Sequence, residues 1–154
     1  MFHMHTFEKI QSSCVDMRRV LFICTGNSAR SQMAEALLRQ LGGDDFEVYS
    51  AGIKPKSEVN PNAIEVLREK GISTKGLHPK LVNEFVNKEI DFVVTVCDRA
   101  KQSCPHFPGA KHIEHWSLED PAEVQGSNEE ILEAFRETRD EIERRIRTNI
   151  LKPR

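Results

Sequence analysis

The stretch of sequence that decides the fold reads Arg19-Val20-Leu21-Phe22-Ile23-Cys24-Thr25-Gly26-Asn27-Ser28-Ala29-Arg30-Ser31. Its first half is a short, nearly continuous apolar run that ends at Cys24, which predicts a strand covered on both faces of a sheet. The small and turn-forming residues after Cys24 predict a loop. A helical pattern follows, with Gly42-Gly43 as its expected stop. The apolar residues of that pattern are spaced by four: Met33, Leu37 and Leu41.

Further strands and helices alternate along the rest of the chain. Strands are predicted over residues 46–50, 91–97 and 112–116, and helices over residues 60–71 and 81–87. A capping box formed by Ser127 and Glu130 predicts the start of a last, long helix. This alternation indicates an α/β fold: a single domain over residues 18–154 with a four-stranded parallel sheet flanked by helices. Residues 1–17 are predicted to be a disordered leader, the alternative being an upstream start codon with Met17 as the natural start.

Composition excludes several classes of function. The chain has 154 residues, and 22 Lys and Arg residues stand against 24 Asp and Glu residues, for a net charge of -2. Nucleic-acid and membrane-surface binding both need a concentrated positive field, so neither is expected. No apolar run approaches the roughly 20 residues of a membrane helix, and the N-terminal segment has no secretory pattern. We therefore expect a cytoplasmic protein, in which cysteines serve chemistry rather than static disulfides. We also expect a monomer, although nothing in the sequence fixes the oligomeric state.

The loop after the first strand has the pattern Cys-x5-Arg. Such a loop can curl so that its backbone N–H groups converge on one tetrahedral oxyanion, with the positive end of the following helix dipole at the same point. Arg30 can hold two oxygens of that anion, and the same field, with a hydrogen bond from Ser31, favours the thiolate of Cys24. An anionic nucleophile is thus predicted beneath a bound oxyanion. The oxyanion-binding residues are predicted to be Thr25, Gly26, Asn27, Ser28, Ala29, Arg30 and Ser31.

A second cysteine pair, Cys97 and Cys104, follows the third predicted strand. Cys97 would lie at the end of a strand parallel to the one that ends in Cys24, and Cys104 seven residues later in a flexible polar loop. A phosphatase has no task for this pair. Two-electron reduction of an oxyanion uses both cysteines. It needs a second thiol to attack the first adduct and a third thiol to carry the disulfide to a reductant. Zinc binding by these cysteines with nearby histidines, and a plain core position for Cys97, are the alternatives.

A candidate general acid is Asp120, in the Asp120-Pro121 pair after the fourth predicted strand. A leaving oxygen needs a proton, and a carboxylic acid beside the anion site can supply it. Asp-Pro is also an ordinary turn starter, and Glu119 is a neighbouring carboxylate with which it could be confused.

At these residues the chain resembles the thioredoxin-coupled arsenate reductases, which share the low-molecular-weight tyrosine phosphatase fold. The resemblance spans about residues 18–150. It implies that Cys24 attacks arsenic, that Arg30 and the loop amides hold the oxyanion, and that Asp120 is the general acid. It also implies that Cys97 attacks the adduct to release arsenite, and that Cys104 then forms a disulfide with Cys97 for thioredoxin to reduce. The matching stretches are residues 20–35, Ser50-Ala51-Gly52, Asn60-Pro61, residues 94–97, Cys104-Pro105, His115-Trp116, Asp120-Pro121 and residues 139–142.

The resemblance also implies a substrate and a reductant, and two alternative functions are set against it. Arsenate is the implied substrate, phosphate and sulfate are competing oxyanions, and no cofactor is required beyond the protein reductant, thioredoxin or a glutaredoxin. Some members bind potassium, for which Asn27 and Glu35 are the candidates here. Ala29 stands where many relatives have another cysteine, and Cys14 has no assigned role. The first rival is a low-molecular-weight phosphotyrosine phosphatase using Cys24, Arg30 and Asp120, and the second is a non-catalytic oxyanion- or zinc-binding protein.

Overall fold

The sheet is the centre of the molecule, seen here in a computed structural model that describes residues 17–151. Its strands are β1 (Arg18–Cys24), β2 (Phe46–Gly52), β3 (Phe92–Thr95) and β4 (His112–His115). They lie in the order β2-β1-β3-β4, and every neighbouring pair is parallel. The predicted α/β fold with a four-stranded parallel sheet is confirmed. The predicted leader lies outside the described residues, apart from Met17.

Helices connect the strands, and two of their starts follow directly from local chemistry. The helices are α1 (Arg30–Gly42), α2 (Pro61–Glu69), α3 (Asp98–Ser103) and α4 (Asn128–Arg145). Short 3-10 turns occupy Gly43–Asp45, Val82–Phe85 and Pro121–Glu123, and a π-helical turn, Ile146–Ile150, follows α4. The Asn60 side chain accepts a hydrogen bond from the amide of Asn62, with Pro61 as the first helical residue. The predicted capping box of Ser127 and Glu130 is present, with both of its hydrogen bonds.

The core surrounds β1, as its apolar sequence predicts. Residues 20–23 are fully buried, and α1 packs on β1, β2 and α4. On the far side of β3, Trp116 is buried against Phe22, with ring centroids 5.8 Å apart. Because β1 and β3 are adjacent and parallel, the segments that leave their carboxyl ends begin at the same edge of the sheet, where ligands bind in folds of this class. Within residues 17–151 no helix combines the length and the apolar character needed to cross a membrane.

The segment between Cys97 and Cys104 corrects one expectation. It is not a flexible loop but the short helix α3, and β3 ends at Thr95, two residues earlier than predicted. Cys97 is the N-cap residue, and its sulfur accepts a hydrogen bond from the amide of Ala100 at 3.4 Å. Asp98 adds a negative charge to the first turn, where the helix dipole favours it. The two cysteines therefore lie at opposite ends of one helix.

Candidate active site

The loop of residues 24–31 is fixed in place by its carbonyl groups. Four of them accept hydrogen bonds from the segment that follows β2, so the N–H side of the loop is left to face the pocket, as in an anion-binding nest. The bonds run from the amides of Ile53, Lys54, Lys56 and Asn60 to the carbonyls of Cys24, Thr25, Gly26 and Ser28, at 3.1, 2.8, 2.9 and 2.9 Å respectively.

The sulfur of Cys24 lies at the base of this loop, with only 3% of the residue exposed. The Oγ of Ser31 is 2.8 Å from Sγ, and the amide of Asn27 donates to Sγ at 3.1 Å. Both contacts stabilise a negative charge on sulfur. The thiolate partner expected from the sequence, Ser31, is therefore in position.

Asn27 organises the loop from below. Its backbone has a positive φ of 48°, a conformation in which Asn is among the favoured non-glycine residues. Its Nδ2 donates to Ser31 Oγ at 2.7 Å and to Ser50 Oγ at 2.9 Å, and its Oδ1 accepts from the amide of Lys80 at 2.8 Å. Sequence reasoning assigned no role to Ser50 or Lys80, because neither belongs to the loop motif.

Gly52, at the end of β2, must be a glycine for the loop to lie where it does. A Cβ atom at this position would be 2.7 Å from the carbonyl oxygen of Thr25 and 3.0 Å from the backbone nitrogen of Asn27. Both neighbours are backbone atoms that cannot turn away. The absence of a side chain at Gly52 is therefore a condition for the shape of the oxyanion loop.

Arg30 and Asp120 meet above the loop. The Nη1 of Arg30 donates to the carbonyl oxygen of Leu118 at 2.8 Å, and its Nη2 lies 3.5 Å from Oδ2 of Asp120. The other carboxylate oxygen of Asp120 accepts from the amide of Ala122 at 3.0 Å, which caps the turn that follows. Asp120 lines the pocket together with Leu118, whereas Glu119 is not among the pocket residues. The structure thus distinguishes the two neighbouring carboxylates.

Cys97 faces the same pocket as Cys24. Both cysteines line the cavity, and the Oγ1 of Thr25, the residue after Cys24, is 3.2 Å from the sulfur of Cys97. Cys104 is different: it is half-buried, its sulfur contacts the carbonyl of Pro105, and it is not among the residues that line the cavity. Burial raises the pKa of the Cys104 thiol. All three are free thiols in this structure.

The mouth of the pocket is polar and cationic. In residues 17–151, four cationic side chains line it against three carboxylates, so positive charge is in slight excess; they are Arg30, Lys54, Lys56 and Arg99, and Asp98, Asp120 and Glu123. Among the lining residues within the described part of the chain, none is aromatic. Such a mouth attracts small anions but offers no ring to stack on the phenyl group of a phosphotyrosine. This composition favours an inorganic oxyanion over an aryl ester.

The residues considered for zinc do not come together. In residues 17–151 there is no group of three or more His, Cys, Asp or Glu side chains that could hold a metal ion. His115, one of the histidines near the cysteine pair, instead contacts Thr95 Oγ1 and Asp98 Oδ1 through its two ring nitrogens, each at 2.8 Å. The hydrogen bond between Asp98 and His115 is the main reason why the pKa of Asp98 is lowered.

The residues considered for potassium do not fit a metal ion either. Glu35, 1% exposed, carries the charge that would attract such an ion. Its Oε1 lies 3.5 Å from the ammonium of Lys80, and its Oε2 lies 2.5 Å from the guanidinium of Arg39. A metal ion at Glu35 would therefore be placed beside a fixed positive charge, and we derive no step through it.

A parallel α/β sheet that presents a cysteine-centred oxyanion loop at its carboxyl edge, with an arginine and an aspartic acid above it, defines the phosphatase-like class of cysteine-dependent enzymes. The sequence matches the family described as "Low molecular weight phosphotyrosine protein phosphatase" over residues 19–152. The chain belongs to this family.

The similar proteins point to one branch of it. The arsenate reductase of Halalkalibacterium halodurans is 43% identical over 129 residues, which cover 84% of this chain and 92% of the relative. The arsenate reductase of Bacillus subtilis is 41% identical over 128 residues, which cover 83% and 91%.

Solved structures agree with the fold. A structure described as "An arsenate reductase in the phosphate binding state" superposes with a TM-score of 0.76 at 32% identity, over 88% of this chain and 98% of that one. The Corynebacterium glutamicum thioredoxin-dependent arsenate reductase gives a TM-score of 0.63 at 35% identity, over 86% and 63% of the two chains.

Proposed function

We propose that this protein reduces arsenate to arsenite through a relay of three cysteines. The observation that carries the proposal is the shared pocket of Cys24 and Cys97, in which Thr25 lies in contact with the second sulfur. A phosphatase of this class needs the loop, Arg30 and Asp120 only. The similarity to proteins named arsenate reductases supports the same conclusion.

The first step uses the oxyanion loop. Arsenate binds to the loop amides and to Arg30, and the Cys24 thiolate attacks arsenic to form a sulfur–arsenic bond. One arsenate oxygen leaves as water, after accepting a proton from Asp120. Arg30 Nη2 lies 3.5 Å from Asp120 Oδ2, so the proposed acid lies beside the group that holds the anion.

The second step transfers the electrons. The sulfur of Cys97 attacks the sulfur of Cys24, which forms a disulfide and breaks the sulfur–arsenic bond. The electron pair of that bond stays on arsenic, which leaves as arsenite. Cys104 then attacks Cys97, which frees the Cys24 thiolate and leaves a Cys97–Cys104 disulfide. A dithiol donor returns this disulfide to two thiols and is itself oxidised.

The last disulfide requires helix α3 to unwind. Cys97 and Cys104 cap the two ends of this helix, so seven steps of about 1.5 Å separate their Cα atoms by about 10 Å along the axis. A disulfide needs Cα atoms roughly 4.4–6.8 Å apart. Helix α3 therefore converts to a loop when the pair is oxidised, and this carries Cys104 from its half-buried site towards the donor.

We infer thioredoxin as the donor, because one similar solved structure is a thioredoxin-dependent arsenate reductase. Phosphate and sulfate compete for the loop as near-isosteres of arsenate. The protein is proposed to act as a cytoplasmic monomer. Because Cys24, Arg30 and Asp120 also meet the needs of phosphate-ester hydrolysis, weak phosphatase activity towards small esters accompanies the main reaction.

The test is arsenate-dependent NADPH oxidation in the presence of thioredoxin and thioredoxin reductase. The wild type is expected to turn over, and Cys97→Ser is expected to lose at least a hundredfold in rate while it retains p-nitrophenyl phosphate hydrolysis. Cys14→Ser, which changes a cysteine without an assigned role, is the matched control and should behave as the wild type. Equal reductase rates for wild type and Cys97→Ser would refute the relay and leave a hydrolase.

A further inference from the structure

We propose that Lys80 supplies, from within the chain, the positive charge that the buried carboxylate of Glu35 requires, so that the network beneath the Cys24 loop works without a monovalent metal ion. Three features carry this inference. They are the fixed position of the Lys80 side chain, the burial of Glu35, and the chain of hydrogen bonds that joins Glu35 to the nucleophile.

Among the described residues, the Lys80 ammonium has two polar contacts. It donates to the carbonyl oxygen of His78 at 2.5 Å and lies 3.5 Å from Oε1 of Glu35, while its side chain is 10% exposed. The backbone amide of the same residue donates to Oδ1 of Asn27. One residue thus contacts the loop through its backbone and the buried carboxylate through its side chain. Desolvation, the larger effect, lowers the pKa of Lys80, and the charge of Glu35 opposes this.

Glu35 needs such a partner because it is almost entirely removed from water. A buried carboxylate without a countercharge is strongly destabilising. Arg39 pairs with it from the solvent side, since the Arg39 side chain is 45% exposed. Lys80 pairs with it from the interior side. The two cations more than offset the single negative charge of Glu35, which leaves no uncompensated charge there to attract a metal ion.

The carboxylate is linked to the nucleophile by an unbroken series of polar contacts. Oε1 of Glu35 accepts from Ser50 Oγ at 2.5 Å, and Ser50 Oγ accepts from Nδ2 of Asn27. The same amide donates to Ser31 Oγ, which touches the sulfur of Cys24. Removal of the Lys80 charge is therefore expected to disturb the orientation of Ser50 and Asn27, and through them the environment of Cys24.

One buried oxygen atom is a candidate ligand for potassium, the outcome that would contradict the proposal. Within residues 17–151, Oε1 of Gln32 is the buried side-chain oxygen that has no hydrogen-bond partner. The amide nitrogen of the same side chain donates to the carbonyl of His78, which also accepts from Lys80. If a potassium ion did bind here, this oxygen would be a natural ligand, and the wild-type protein would respond to potassium.

The experiment compares potassium chloride with choline chloride at equal ionic strength and pH. It measures the thermal midpoint and the rate at which iodoacetamide alkylates Cys24, followed by peptide mass spectrometry. Neither readout involves arsenate, so a failure of the inference about Lys80 can be distinguished from a failure of the proposed reaction. The variants are Lys80→Met, the charge-conserving Lys80→Arg, and Lys75→Met as a control at an exposed lysine.

The wild type and Lys75→Met are expected to give the same values in both salts. Lys80→Met is expected to show a lower midpoint and a several-fold slower alkylation in choline chloride, with both partly restored by potassium. Lys80→Arg should fall between it and the wild type. A potassium response of the wild type would overturn the proposal, as would a Lys80→Met protein that matches the wild type in choline chloride. If Lys80→Met does not fold, the response of the wild type to potassium still tests the proposal.

Discussion

The hydroxyl oxygen of Thr25 lies 3.2 Å from the sulfur of Cys97, although 72 residues separate them in sequence. This contact joins the loop that follows β1 to Cys97, the N-cap residue of α3, which follows β3. It exists because β1 and β3 are adjacent parallel strands, so that their following segments emerge side by side. The arrangement places a second thiol in the pocket that Cys24 also lines.

The proposed resolving role of Cys104 predicts that a variant without this thiol stops after one turnover. Cys104→Ser should release one arsenite per enzyme and then stop as a Cys24–Cys97 disulfide, because no third thiol is present to free Cys24. Quantification of arsenite in a single-turnover experiment, with disulfide mapping of the stalled protein, checks this. Continued turnover of Cys104→Ser with thioredoxin would contradict it.

The proposed acid role of Asp120 predicts a slower first step when its carboxyl group is removed. Asp120→Asn keeps the shape of the side chain but removes the transferable proton, so formation of the arsenic adduct should slow by about 10²–10⁴. Glu119→Gln is the matched control, since that carboxylate does not line the pocket. Rapid-quench measurement of the first turnover compares the rates of the two variants. Equal rates would show that Asp120 is not the general acid.

The burial of Cys104 predicts low reactivity in the reduced protein. Because burial raises the pKa of this thiol, a smaller fraction is thiolate at neutral pH than in the unfolded chain, and the thiolate is the reactive form. Alkylation of Cys104 should therefore be slower in the native state than in urea, and the native rate should rise as the pH increases towards the raised pKa. Peptide-resolved alkylation at several pH values measures this. Equal native and unfolded rates at neutral pH would show that the thiol is not protected.

The capping box of α4 predicts a stability effect without a direct effect on catalysis. Ser127 Oγ accepts from the amide of Glu130 at 3.1 Å, and the Glu130 side chain accepts from the amide of Ser127. Ser127→Ala should lower the free energy of unfolding by about 1 kcal/mol, the usual cost of losing such a cap. Urea denaturation gives the value, with unchanged oxyanion binding as the control. An unfolding free energy equal to that of the wild type would show that the cap does not contribute.

The features that the sequence predicted are those with a local cause. The apolar run of residues 19–24 and the capping box at Ser127 carry their own signals, because strand burial and helix caps depend on neighbours in the chain. The loop was likewise recognisable, because the Cys-x5-Arg spacing stands between an apolar strand and a helical pattern and encloses small residues.

The features that it missed arise from tertiary contacts. Helix α3 has six residues, too few to be stable alone or to show a helical period, and its form depends on the Cys97 cap and on packing of Ala100. Lys80 reads as an ordinary surface lysine, and only the fold places it beside Glu35. The contact between Arg30 and Leu118 involves a backbone carbonyl, which no side-chain pattern reveals.

The position of Cys97 and Cys104 at the two ends of one helix has a consequence for electron transfer. In the proposed relay the dithiol form retains the helix and the disulfide form loses it, so every interaction that stabilises the helix favours the reduced state. Helix–coil relaxation takes about 0.1–1 μs for short peptides. That is far faster than typical turnover of about 10 per second. The refolding thus adds little delay, but it raises the reduction potential of the cysteine pair and makes the disulfide easier for a dithiol donor to reduce.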